Sequence, residues 1–201
     1  MTDIKFKSKI GDKEVALKII PENLLIQKRC DEEYHLAYLS LLKKGILPRV
    51  TLERLMAQNE IWTPEHEDMV RNLQLKVVAL ELKLSASNTK DEGVVVAGEL
   101  AEARRALYKL IEGKTSVLEH CCESIADIVR QEAYIAYATV YEDTNKQVFK
   151  DYADFLAKKD EQVVLDAMNA LTENLKNAFI RTVDSLPESK FIAEQKVAET
   201  A

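Results

Sequence analysis

Ile61-Trp62-Thr63-Pro64-Glu65-His66-Glu67, followed by Val70, Leu73, Val77, Leu80 and Leu84, is the stretch whose reading decides the fold. The apolar residues step by three and four, the spacing that lines up one face of an α-helix. Thr63 suits the N-cap and Pro64 the first helical position, while Glu65 and Glu67 put negative charge in the first turn, where the helix dipole favours it. A long helix therefore starts at Pro64 and runs to about Ala86, with the only tryptophan of the chain at its threshold.

Working outward toward the C-terminus, Ser87-Asn88-Thr89-Lys90-Asp91-Glu92-Gly93 reads as a loop. Leu100, Ala103, Leu107 and Leu110 form a matching ladder beyond it, so residues 64–112 are expected to be an antiparallel helical hairpin ended by Gly113. Val94-Val95-Val96 suit either the start of its second helix or a short extended segment, and the helix is the favoured reading. Ser116-Val117-Leu118-Glu119 has the pattern of a capping box. It would launch a helix carrying Leu118, Cys121, Cys122, Ile125, Ile128, Val129, Ala136 and Val140. After a break near Glu142-Asp143-Thr144-Asn145, Val148, Phe149, Tyr152, Phe155 and Leu156 suit another helix. Val164, Met168, Leu171, Leu175, Phe179, Thr182 and Leu186 mark the last one, which Pro187 stops. Residues 187–201 read as a flexible tail.

Toward the N-terminus, Ile4, Phe6, Ser8 and Ile10 alternate with Lys5, Lys7 and Lys9. Gly11-Asp12 is a two-residue turn, and Val15, Leu17 and Ile19 resume the alternation, which predicts a β-hairpin ending at Pro21. A lone hairpin is marginal in water, so its apolar face must pack on helices or on another chain. The lysine face is read as solvated and protective of an edge, with an anion site as the alternative. From Glu22 the period becomes helical up to Gly45, and Thr51 opens a short helix with Leu52, Leu55 and Met56. The expected fold class is thus mainly α, an N-terminal β-hairpin followed by a multi-helix bundle with a long antiparallel helical hairpin. The expected segments are 1–60, 61–186 and the tail 187–201.

Composition narrows the function classes. The 201 residues are 47% hydrophobic and 31% charged, ordinary for a globular chain, and five Gly with four Pro favour long helices. A net charge of −6 argues against nucleic acid as a partner, since phosphate contacts need a basic face. No run approaches a membrane span of about 18 apolar residues. Cys30, Cys121 and Cys122 form no disulfide framework, which points to a reducing cytoplasm.

Candidate chemistry is sparse. Glu32 and His35 form one Glu-x-x-His pair, whereas carboxylate-bridged di-metal bundles use two, and neither His66 nor His120 has a glutamate three residues before it. Glu119-His120-Cys121-Cys122-Glu123 collects ligand types, but consecutive helical residues point about 100° apart and do not converge on one ion. Both cysteines lie on the apolar ladder and read as buried thiols. Gly113-Lys114-Thr115 lacks the earlier glycine of a phosphate loop, because Tyr108 stands there. No catalytic residue, metal site or cofactor is expected. Trp62 has two readings, a core anchor at the helix entry or an exposed anchor for a partner. Phe191 and Ile192, in the tail, and Phe6, on the hairpin, are the other candidate partner-binding residues.

A small N-terminal hairpin (Ile4 to Ile20) ahead of an acidic helical body, with Leu47-Pro48-Arg49-Val50-Thr51-Leu52-Glu53 and Ile61-Trp62-Thr63-Pro64-Glu65, resembles bacteriophage tail and baseplate assembly accessory proteins, especially tail assembly chaperones. The resemblance implies binding of other protein chains during assembly without a cofactor, in a host cytoplasm or on a virion. Beside that expectation stand a self-assembling structural subunit, a homo-oligomer built through the helical hairpin, and a helical-bundle metal enzyme using Glu32 and His35.

Overall fold

The computed structural model describes residues 3–87 and 89–200, with side chains described through residue 193. It is mainly α with an N-terminal antiparallel β-hairpin, and by its contacts the chain divides into two compact units. One is Met1–Pro48 with Cys121–Ala178, the other Arg49–His120 with Phe179–Ala201. Both units are discontinuous, unlike the consecutive segments 1–60, 61–186 and 187–201.

In the first unit, strands β1 (Ile4–Ile10) and β2 (Lys13–Ile19) pair antiparallel from Ile4 opposite Ile19 to Ile10 opposite Lys13. Gly11 supplies the positive φ of 60° that a tight two-residue turn requires. Helix α1 (Leu24–Lys43) is capped by Asn23, whose side-chain oxygen accepts from the Leu25 and Ile26 amides. It ends before Gly45, which takes a φ of 83°.

Helix α1 packs along α5 (Cys122–Ala138). The sequence places helix through Val140, but Thr139–Tyr141 is a third strand, β3, antiparallel to β2. Two adjacent β-branched residues stand where the helix ends, and Leu17, Lys18 and Ile19 offer them an edge. Val148 and Phe149 are not helical either; Asp151 caps the short helix α6 (Tyr152–Ala157). Leu17, Ile19, Cys30, Phe149, Phe155, Val163 and Val164 are the centre of this core. Each such large side chain contributes about 1.5–3 kcal/mol by burial. Val163 and Val164 come from α7 (Gln162–Asp184).

In the second unit, α2 (Arg49–Gln58) precedes α3 (Pro64–Ser85) and α4 (Lys90–Leu118). The expected helical hairpin is present. Val77, Leu80 and Leu84 of α3 meet Val96, Ala97, Leu100 and Ala103 of α4. Thr89 caps α4 by accepting from the Glu92 amide, so the loop is shorter than its polar composition implies and Val94–Val96 are helical. Asn88 of that expected loop lies outside the described residues.

Gly113 does not end α4, and Ser116 does not begin a helix. The Thr115 and Ser116 hydroxyls donate backward to the carbonyls of Ile111 and Gly113, the mid-helix alternative to capping. Cys121 stands at the N-cap of α5 instead. The segment read as a flexible tail is helix α8 (Pro187–Thr200), started by Pro187 in its first turn and packed on α4.

Candidate protein-interaction surface

Trp62 is half-buried and surrounded by its own chain. Its indole N–H donates to Glu67 Oε1 at 2.6 Å, and Lys114 Nζ donates to the same oxygen at 2.7 Å. That ammonium stands 5.2 Å from the Trp62 ring centroid, while the His66 ring stacks on Trp62 at 5.1 Å. His66 Nδ1 accepts the Thr63 backbone N–H at 3.1 Å, which places the imidazole in a capping role. Lys114 first and the indole second hold the Glu67 carboxyl below the usual carboxylate range. An open groove of about 430 Å³ adjoins this cluster, lined by Glu53, Met56, Trp62, Glu67, Arg71 and Lys114 among others. The tryptophan thus ties the start of α3 to the end of α4. Lys114, met in the sequence only as part of a failed phosphate-loop match, is the partner that local reading did not supply.

The other candidate residues are placed apart from Trp62. Phe6 is half-buried on the inner sheet face, against the core of the first unit. Phe191 packs on the α3–α4 core, with its ring lying over Gly93, where a Cβ would collide with it. Ile192 stays exposed. Nearby, Glu188 is only 5% exposed, and its Oε1 lies 2.6 Å from Arg104 Nε, while Arg104 also pairs with Glu81. Phe191 therefore serves the fold of its own chain.

The exposed apolar groups form rows on helices. On α3, Leu75, Val78 and Leu82 are 63%, 51% and 66% exposed. They follow the same three-and-four spacing as Val77, Leu80 and Leu84, displaced by two residues, or about 200° around the helix. Helix α3 thus has one apolar row facing α4 and a second row facing away. The signal for the second row is in the sequence, at positions 75, 78 and 82. In the first unit, α1 turns Ile26 and Cys30 inward and leaves Leu25, Leu36 and Leu39 exposed.

Reactive chemistry is not assembled around the sequence candidates. Glu32 is exposed, 4.0 Å from Lys28, and exposed His35 meets the edge of Tyr34. Among the described residues, no group of three or more His, Cys, Asp or Glu side chains is placed to hold a metal ion. Burial pushes the Cys30 thiol up to about 11, and Cys122 rises for the same reason while its S–H donates to the Ile46 carbonyl at 3.1 Å. No helix among the described residues is long and apolar enough to cross a membrane. No protein-family model matches the chain, and no curated protein or solved structure is similar to it.

Proposed function

We propose that this chain is a non-catalytic protein-interaction protein that takes part in assembly by binding other protein chains through apolar helical rows. The observation that carries the reading is the second row of α3, Leu75, Val78 and Leu82, more than half exposed on a helix whose opposite row already fills a core. Rows of this kind, set among polar residues, are the surfaces by which amphipathic helices take a partner. The sequence resemblance supplies the setting: bacteriophage tail or baseplate assembly, in the manner of a tail assembly chaperone.

Light scattering after size exclusion, with metal analysis on the same peak, tests this. A metal-free monomer or small oligomer that takes up a hydrophobic dye through the α3 row supports an assembly factor with an outside partner. A large, stable, metal-free assembly would replace it with a self-assembling structural subunit. Stoichiometric metal would overturn both and return attention to Glu32 and His35.

A further inference from the structure

Strand β1 is an edge. The sheet order is β1-β2-β3, and among the described residues no strand lies beyond β1. The register fixes which backbone groups it leaves open. Ile10 and Lys13 close the two-residue turn as a hydrogen-bonded pair, so Ser8–Val15, Phe6–Leu17 and Ile4–Ile19 are the other hydrogen-bonded pairs. The N–H and C=O groups of Lys5, Lys7 and Lys9 therefore point away from β2, toward the open side. Their side chains share the outer sheet face; Lys5 and Lys7 are largely exposed, and Lys9 is exposed as well. On the inner face Ile4, Phe6 and Ile10 are only half-buried at the rim of the core.

We infer that β1 accepts an added strand from an acidic partner chain, one that alternates apolar and acidic residues. Its backbone would pair with Lys5, Lys7 and Lys9, its apolar residues would extend the inner face beside Ile4, Phe6 and Ile10, and its carboxylates would face the lysines. The argument is charge complementarity. Residues Ile4–Ile19 hold five lysines against Asp12 and Glu14, on a chain whose formal charge is −6. Three of those lysines are already matched, Lys5 by Glu142, Lys7 by Glu14 and Lys18 by Asp3. Lys9 and Lys13 add positive charge on the same hairpin. A second copy is a poor occupant, because lysine would stand opposite lysine across the new pair. The same lysines that keep copies apart thus select the sign of the partner. A concavity of about 480 Å³ lined by Lys7, Ser8, Lys9, Glu14, Gln162 and Asp166 adjoins this stretch. Asp166 of that lining calls for an uncharged residue beside it, whereas Glu14, opposite Lys9, shares the outer face with the lysines and is already paired with Lys7.

This inference deepens the assembly reading, and rests on it only in taking the partner to be a protein chain. The test uses the full chain and a fluorescent peptide of about ten residues alternating valine with glutamate, a common strand length at its upper end. A second peptide with lysine in place of glutamate is the control. Binding of the acidic peptide alone, weakened by salt, is expected, with slowed amide exchange at Lys5, Lys7 and Lys9. The double variant Lys7→Glu, Lys9→Glu is expected to lose at least about tenfold in affinity and to gain the lysine peptide. Lys7→Pro removes one outward N–H without touching a β1–β2 hydrogen bond, and should block pairing while the circular dichroism stays unchanged. Equal binding of both peptides, no change in exchange at the three lysines, or dimerisation of the chain through β1 would overturn the proposal. Because Leu75→Glu, Leu82→Glu leaves β1 intact and the lysine variants leave α3 intact, the failure of either reading is visible separately.

Discussion

Glu67 accepts both the indole N–H of Trp62 and the ammonium of Lys114, so one carboxylate determines the surroundings of the only tryptophan. Its folded pKa is lowered, by Lys114 first and Trp62 second. A carboxylate of this kind contributes stability above its unfolded pKa, about 4.3, and loses it as pH falls through the lower folded value. Trp62 emission is therefore expected to stay constant from neutral pH down through the ordinary carboxylate range and to shift only below it. Glu67→Gln should show the shifted emission already at neutral pH. Emission of Glu67→Gln unchanged at neutral pH would show that this carboxylate does not set the environment of Trp62. The pair is exposed, and contributes at most about 1 kcal/mol. Its visibility comes from the fluorophore, not from its strength.

Two glycines of α4 show how far an element can be read from its letters. Gly113 reads as a stop, yet α4 continues to Leu118, because Lys114 is engaged with Trp62 and Glu67 and Leu118 is buried. A Cβ at Gly113 meets nothing within 4 Å. Gly113→Ala is therefore expected to stabilise the fold by about 0.5–1 kcal/mol, the ordinary helical difference, read as a raised Tm. Gly93 sits in the same helix with the opposite prospect, since its Cβ would enter the Phe191 ring. Gly93→Ala should displace α8, seen as faster amide exchange over residues 187–200, whereas the alanine in α4 itself is favourable. An unchanged α8 in that variant would mean that the ring moves aside without cost. The ladders and caps that made α3, α4 and the hairpin legible act within a few residues. Strand β3 and helix α8 depend on partners far along the chain, β2 for one and Gly93 with Arg104 for the other, so no local pattern announced them.

At the scale of the molecule, both units are assembled from separated stretches of chain, and three-residue spacing carries no information about that. The ladder Val77, Leu80, Leu84 and the row Leu75, Val78, Leu82 are equally regular in the sequence; only the packing of α4 tells which one is a core. Of the four residues picked as partner contacts, Trp62, Phe6 and Phe191 are used within the chain, because large aromatic groups are the first to be consumed by folding. The uncommitted apolar surface belongs instead to unremarkable leucines and valines. If it serves to bind protein, Leu75→Glu with Leu82→Glu should separate function from stability. Side chains 63% and 66% exposed contribute little to the fold, so the change in unfolding free energy is expected to stay within about 0.5 kcal/mol per site. Hydrophobic-dye uptake and association with a protein partner should fall together, the second by tenfold or more, about 1.4 kcal/mol. If the double variant instead unfolds, the row is part of the structure of its own chain, and the assembly reading loses the observation that carries it.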